Sequence, residues 1–135
     1  MADSSYLVDS LLGGVAKFEE EQMLVPDFAV AEAMNAFYVQ ERVLRVIDDG
    51  RPYVRRLFLA MEAGAVEVVG SSKDVILDAY EIGVRHKAAP YDCIFVALAL
   101  RLGKELRTRD RRQAEIMASE SARRGGGSRA GGAPT

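Results

Sequence analysis

Four acidic residues stand where a cation-binding site could form. Asp3 lies near the N-terminus, Glu32 adjoins an apolar helical stripe, Asp92 begins a strongly apolar helix, and Asp110 follows a short apolar segment. A carboxylate beside apolar surface needs a partner because an unpaired buried charge is very costly. We expect Asp92 to be buried, since its helix is apolar almost all round. Carboxylates brought together raise one another's pKa unless a cation joins them.

Oxygen ligands of this kind indicate Mg²⁺ or Mn²⁺ as the cofactor. The chain has one His and one Cys, which disfavours a zinc site with nitrogen and sulfur ligands. A hard divalent ion with open coordination positions can bind a phosphodiester and activate water for in-line attack, and two such ions would sit ~4 Å apart. The pattern therefore favours phosphodiester hydrolysis and leaves the number of metal ions open.

An alternation of strands and helices is predicted to position these acids. Strands are predicted at "QMLVPD" (22–27), "AVEVVG" (65–70) and "KELRTRD" (104–110), and helices over 27–48, 51–64, 71–86, 89–103 and 110–119. A first strand is expected around Ala2–Asp3 or Tyr6–Val8. This order favours an α/β fold with a mainly parallel sheet. In such folds ligands bind at the carboxyl ends of the strands, where the four acids fall.

The length of 135 residues suits one domain, and 49% apolar with 28% charged residues is a globular balance. Residues 120–135 are rich in Gly, Ala and Arg, so we predict a domain over 1–119 and a disordered tail over 120–135. The formal net charge is -2, and without the three tail arginines residues 1–120 carry -5. A domain with this negative charge is expected to bind nucleic acid only when cations lie between them.

The compartment is expected to be the cytoplasm. The single cysteine, Cys93, excludes an internal disulfide and fits a reducing environment. No apolar run approaches the ~20 residues that a membrane span needs. The N-terminal stretch has no basic start and carries acids, which makes it a poor signal peptide.

Four sequence blocks resemble the motifs of a known family. In chain order they are "DSSYLVDSLL", "VPDFAVAEAMNAF", "APYDCIFVALAL" and "LRTRD", and together they span residues 3–112. They are similar to the motif blocks of PIN domains, particularly of VapC-type toxins. The resemblance implies a PIN-like α/β/α sandwich, with a mainly parallel central sheet flanked by helices. It also implies a metal-dependent endoribonuclease, usually a homodimer, that a VapB-type antitoxin neutralises.

Carried over by position, the resemblance makes the four acids the catalytic metal ligands. Three polar residues would support them, which are Ser5, Asn35 and Thr108. Arginines cluster around the last acid, and Arg109, Arg111 and Arg112 could hold RNA phosphates at the rim of the site. Each assignment has a simpler explanation beside it: Asp92 and Asp110 as helix caps, Glu32 as a solvated acid, and the arginines as surface charges.

The first acid and the biological role each allow more than one assignment. Asp9 competes with Asp3 for the first position, because only two residues precede Asp3 and the true start could lie upstream. The RNA target, its cleavage site and the antitoxin are not specified by the sequence. The activity could also be that of a PIN nuclease in RNA processing outside any toxin pair, or the chain could be a non-catalytic PIN module that binds RNA or protein. The apolar helices over 27–63 are the candidate dimer contact.

Overall fold

The computed structural model describes residues 1–13 and 22–130, and it describes side chains up to residue 125. The described elements are α1 (Ser4–Gly13), β1 (Met23–Pro26), α2 (Asp27–Arg42), α3 (Arg51–Glu62), β2 (Val66–Val69), α4 (Lys73–His86), α5 (Pro90–Leu102) and α6 (Arg111–Ala130). They fall into two compact units, one within residues 1–71 and one from residue 72 onward. No described helix is both long enough and apolar enough to cross a membrane.

The first unit is built on a parallel pair of strands. β1 and β2 run in the same direction, with Met23 opposite Val66. The N–H of Ala2 donates to the carbonyl of Leu24 at 2.8 Å, so the N-terminus joins β1 through one bridge residue. Asp3 comes directly after this bridge, and the following α1 and α2 pack against each other. The predicted α/β fold with a parallel sheet is confirmed.

A small apolar core holds these elements together. Phe37 stacks on Tyr53 with ring centroids 5.4 Å apart, which joins α2 to α3. Each fully buried large apolar side chain contributes about 1.5–3 kcal/mol to stability. The buried apolar side chains of the helices are Leu7, Val8, Leu11, Ala29, Ala33, Phe37 and Leu57.

The second unit is centred on α5. Its side chains are buried without interruption from Cys93 to Ala99. α4 packs along α5 with Val75, Ala79 and Ile82, which recur at helical spacing. α6 also packs on α5 and buries Ile116.

Two sequence predictions about the elements were wrong, and one of the two positions offered for the first strand is excluded. The predicted strand over 104–110 is a single bridge residue, Arg107, because turn hydrogen bonds around Thr108 replace the strand. Tyr6–Val8 is helical, so the residues directly before Asp9 do not form a strand. The helix predicted over 27–48 ends at Arg42, and Arg45, with φ 55°, lies in the left-handed region that a continuing helix excludes.

The boundary predicted at residue 119 falls inside a helix. α6 continues to Ala130, and Glu120 is one of the most buried residues of the second unit, with 1% of its surface exposed. Residues 131–135 of the predicted disordered tail lie outside the described residues.

Candidate active site

Asp3 is buried and caps α1. Its exposed fraction is 6%, and its Oδ1 accepts hydrogen bonds from the backbone N–H of Tyr6 at 2.9 Å and from the hydroxyl of Ser5 at 2.8 Å. The N–H bond is that of a helix N-cap. The positive end of the helix dipole also stabilises the carboxylate. Ser5 therefore contacts the first predicted acid directly.

Glu32 lies on α2 and is half-buried. The hydroxyl of Ser4 donates a short hydrogen bond to its Oε1. Neighbouring serines at the start of α1 thus contact different acids, and Asp3 and Glu32 are held at the same end of this helix. Asn35 is exposed one turn further along α2, and no hydrogen bond among the described residues links it to either acid.

Asp92 sits in the first turn of α5 and is exposed. The prediction that it is buried was wrong. The buried run of α5 begins only at Cys93, so the first turn of the helix projects beyond the apolar core. The cap residue of this helix is Ala89, which offers no side-chain hydrogen bond, so Asp92 is not the N-cap.

Asp110 is exposed and caps α6. Its Oδ1 accepts from the N–H of Gln113 at 3.1 Å, and its own N–H donates to the hydroxyl oxygen of Thr108 at 2.9 Å. The side chain of Gln113 donates from Nε2 to the backbone carbonyl of Asp92 at 2.9 Å. Gln113 therefore bonds to the carboxylate of Asp110 and to the backbone of Asp92.

The four acids divide two and two between the compact units. Each unit supplies one pair, Asp3 with Glu32 and Asp92 with Asp110. Among the side chains that the structure describes, no group of three or more His, Cys, Asp or Glu residues is arranged to hold a metal ion. A single centre made of all four acids therefore stays a prediction.

The donor chemistry of these residues fits a hard divalent cation. Both pairs offer carboxylate oxygens, surrounded by hydroxyl and amide groups, as Mg²⁺ and Mn²⁺ prefer. The softer donor Cys93 is poorly suited to bind a metal, because a thiol must lose its proton to do so. Burial raises the pKa of the Cys93 thiol, and the neighbouring Asp92 adds to the effect. His86 is bound to Glu120 at 2.8 Å.

The arginines around Asp110 all reach the surface. Arg109 and Arg111 are exposed. Arg112 is exposed as well, yet it donates a short hydrogen bond to the carbonyl of His86 and lies 4.0 Å from Glu115. Arg112 is therefore partly engaged in the structure of its own unit.

Two residues that contact the acids were missed by sequence reasoning. Ser4 was passed over because its partner Glu32 is 28 positions away and no local pattern connects them. Gln113 could have been identified from the sequence, since an N-cap acid followed three residues later by Gln resembles a capping box.

Known proteins resemble this chain in sequence and in fold. A model of the PIN domain family matches residues 3–118. The chain is also similar to the crystal structure of PAE2754 from Pyrobaculum aerophilum, with a TM-score of 0.70, 21% sequence identity, and coverage of 85% of this chain and 82% of that chain. At this identity the likeness concerns the fold. No curated protein matches the chain.

The family match covers most of the sequence and confirms the predicted resemblance to PIN domains and the PIN-like fold. PIN domains are generally nucleases that depend on divalent metals. The matched region begins at Asp3 and includes all four acids. The chain therefore belongs to the PIN domain family.

Proposed function

We propose that this protein is a metal-dependent endoribonuclease that hydrolyses RNA phosphodiester bonds with Mg²⁺ or Mn²⁺. The observation that supports it best is the pairing of the acids. Serine hydroxyls bind Asp3 and Glu32, and Gln113 binds the residues Asp92 and Asp110. The carboxylates of Asp3, Glu32 and Asp110 are held by these bonds in positions that can receive a cation, whereas Asp92 is held through its backbone carbonyl.

In this proposal the four acids would hold a divalent cation, which would supply water activation and offset charge on the phosphate in the transition state. Two of the acids, Asp3 and Asp110, also cap helices through hydrogen bonds from backbone N–H groups. Arg109, Arg111 and Arg112, which are all exposed, bind RNA phosphates near Asp110. These roles use only oxygen donors and guanidinium groups.

Cleavage of RNA by the purified protein tests the proposal. We expect cleavage with Mg²⁺ or Mn²⁺, none with EDTA, and at least a ~100-fold lower rate for Asp92→Asn. Asp74→Asn is the matched control, because Asp74 is also an exposed acid in the first turn of a helix. Cleavage that survives EDTA, or equal effects of both substitutions, would contradict the proposal.

The finer proposal is that the protein is the toxin of a VapBC-type pair. The four motif blocks of the sequence support it. An adjacent small reading frame should then encode a VapB-type antitoxin whose product binds this chain and stops RNA cleavage. Growth arrest on expression of the chain alone, relieved by co-expression of that product, is the expected result. A nuclease with no such neighbour belongs to RNA processing instead.

A homodimer is also proposed, through the apolar helices over 27–63. α2 and α3 border an apolar groove of about 310 Å³. Met34 and Phe58, which line it, are 55% and 48% exposed. Leu57 is buried at its base and belongs to the core. Light scattering should give twice the monomer mass, and Phe58→Ser should shift it toward the monomer.

A non-catalytic PIN module is the second candidate function. It is favoured by the finding that, within the described side chains, no three potential ligands form a metal site. This candidate predicts RNA or protein binding that neither Mn²⁺ nor Asp92→Asn changes. The cleavage experiment separates it from the nuclease.

A further inference from the structure

Gln113 occupies an unusual position for a polar residue. It lies in the first turn of α6, yet only 5% of its surface is exposed. Its N–H donates to the carboxylate of Asp110, and its side-chain amide donates to the carbonyl of Asp92. The residue therefore connects the first turn of α6 to the first turn of α5.

A contribution to the stability of the fold does not explain why residue 113 is a glutamine. Its Oε1 is buried and makes no hydrogen bond to any residue that the structure describes. A buried acceptor without a partner is unfavourable, whereas an apolar side chain of similar shape removes the penalty. The cap bond to Asp110 uses the backbone N–H, which any residue except proline would supply.

The acceptor of the amide does not need Gln113 either. The carbonyl of Asp92 lies within α5, where a backbone N–H one turn later can serve it. The bond from Nε2 to this carbonyl, at 2.9 Å, is thus a second bond to a group that the helix can satisfy. What the bond does supply is a direct link between the helix starts that carry Asp92 and Asp110.

We infer that Gln113 is a positioning residue that holds Asp92 and Asp110 at the spacing needed to share one divalent cation. The inference rests on the proposed function, in which both acids bind Mg²⁺ or Mn²⁺. Gln113 acts through these acids and not on the metal. Residues that orient metal ligands typically change metal affinity by ~10–100-fold when they are replaced.

The test is Gln113→Met, measured by Mn²⁺ titration calorimetry and by thermal unfolding without metal. Methionine has similar length and helix propensity but cannot donate to the carbonyl of Asp92. We expect the melting temperature to stay unchanged or rise, and the Kd for Mn²⁺ to increase by about 10-fold. In RNA cleavage, the Mn²⁺ concentration for half-maximal rate should rise, while the rate at saturating Mn²⁺ changes far less.

Gln22→Met is the matched control. Gln22 also donates from Nε2 to a backbone carbonyl, that of Gly64 at 3.0 Å, but it is exposed and lies in the other unit. This variant should leave the Kd for Mn²⁺ unchanged. Gln113→Leu gives a second apolar replacement if the methionine variant does not fold.

The outcomes separate this inference from the proposed function. A wild-type protein that does not bind Mn²⁺ overturns both. A wild-type protein that binds Mn²⁺, with folded Gln113 variants of equal affinity, overturns only the positioning role. A lower melting temperature with unchanged Mn²⁺ affinity would make Gln113 a structural residue and also overturn the inference.

Discussion

Arg85 binds the carboxylate of Glu120 through two hydrogen bonds, from Nε at 3.2 Å and from Nη2 at 2.7 Å. Nε2 of His86 lies 2.8 Å from the same carboxylate. These bonds connect Glu120 of α6 to the last turn of α4. Glu120 lies one residue beyond the domain boundary that the sequence predicts at residue 119. Glu120 also lies outside residues 3–118, the part of the chain that matches the PIN domain model. The folded second unit therefore extends further than the matched region.

Glu120→Gln should lower the free energy of unfolding by about 1.5–3 kcal/mol, the usual value of a hydrogen bond to a charged group. The substitution removes the charge from the group that accepts both hydrogen bonds of the Arg85 guanidinium. Urea unfolding at neutral pH measures the loss. Glu115→Gln, at an exposed pair with Arg112 in the same helix, should cost less than about 0.5 kcal/mol. Equal losses would show that the Glu120 pair adds nothing specific.

The same carboxylate predicts a dependence of stability on pH. Burial alone would raise the pKa of Glu120, but hydrogen bonds from Arg85 and His86 outweigh it and hold the pKa at about 2, below the usual 4.5. A lowered pKa in the folded state stabilises the protein above the unfolded pKa. That contribution is lost as the pH falls from 4.5 toward about 2.

Urea unfolding of the wild type and Glu120→Gln across this pH range checks the prediction. The wild type should lose more stability than the variant, so the difference between them should shrink as the medium becomes more acidic. A difference that stays constant with pH would show that Glu120 does not titrate with a lowered pKa.

Asp110 should have separable roles in capping and in cation binding. Asparagine caps a helix about as well as aspartate, whereas alanine costs about 1 kcal/mol. Asp110→Asn should therefore keep the melting temperature near that of the wild type, and Asp110→Ala should lower it. Both variants should weaken Mn²⁺ binding in calorimetry, because both remove a carboxylate. An asparagine variant with wild-type Mn²⁺ affinity would restrict Asp110 to capping.

Local chemistry made most of the helices predictable. The cap at Ser72, the proline at the start of α3 and the left-handed Gly103 after α5 mark helix ends by rules that involve only neighbouring residues. The exposure of Asp92 followed no such rule. The exposure depends on where the apolar core ends along α5, and the apolar residues of this helix do not specify that position.

The pairing of the acids was only partly predictable for the same reason. The sequence identifies candidate acids by type and position, but the bond between Ser4 and Glu32 joins residues on different helices. The last predicted strand failed because hydrogen bonds near Thr108 and the cap at Asp110 favour a turn over an extended chain.

Gly83 should not tolerate a side chain, although it lies within α4. A Cβ at this position would lie 2.8 Å from the carbonyl oxygen of Ala88 and 3.0 Å from Cγ of Pro90, in the turn that starts α5. Alanine gains up to about 1 kcal/mol in helix propensity, but overpacking against backbone costs about 1–3 kcal/mol. We expect Gly83→Ala to lower the melting temperature and, by moving the first turn of α5, to weaken Mn²⁺ binding at Asp92. Gly125→Ala is the matched control in α6, where a Cβ meets nothing within 4 Å, and it should be neutral or stabilising. Equal changes in melting temperature for both substitutions would show that the turn before α5 shifts at no cost to accommodate the added methyl group.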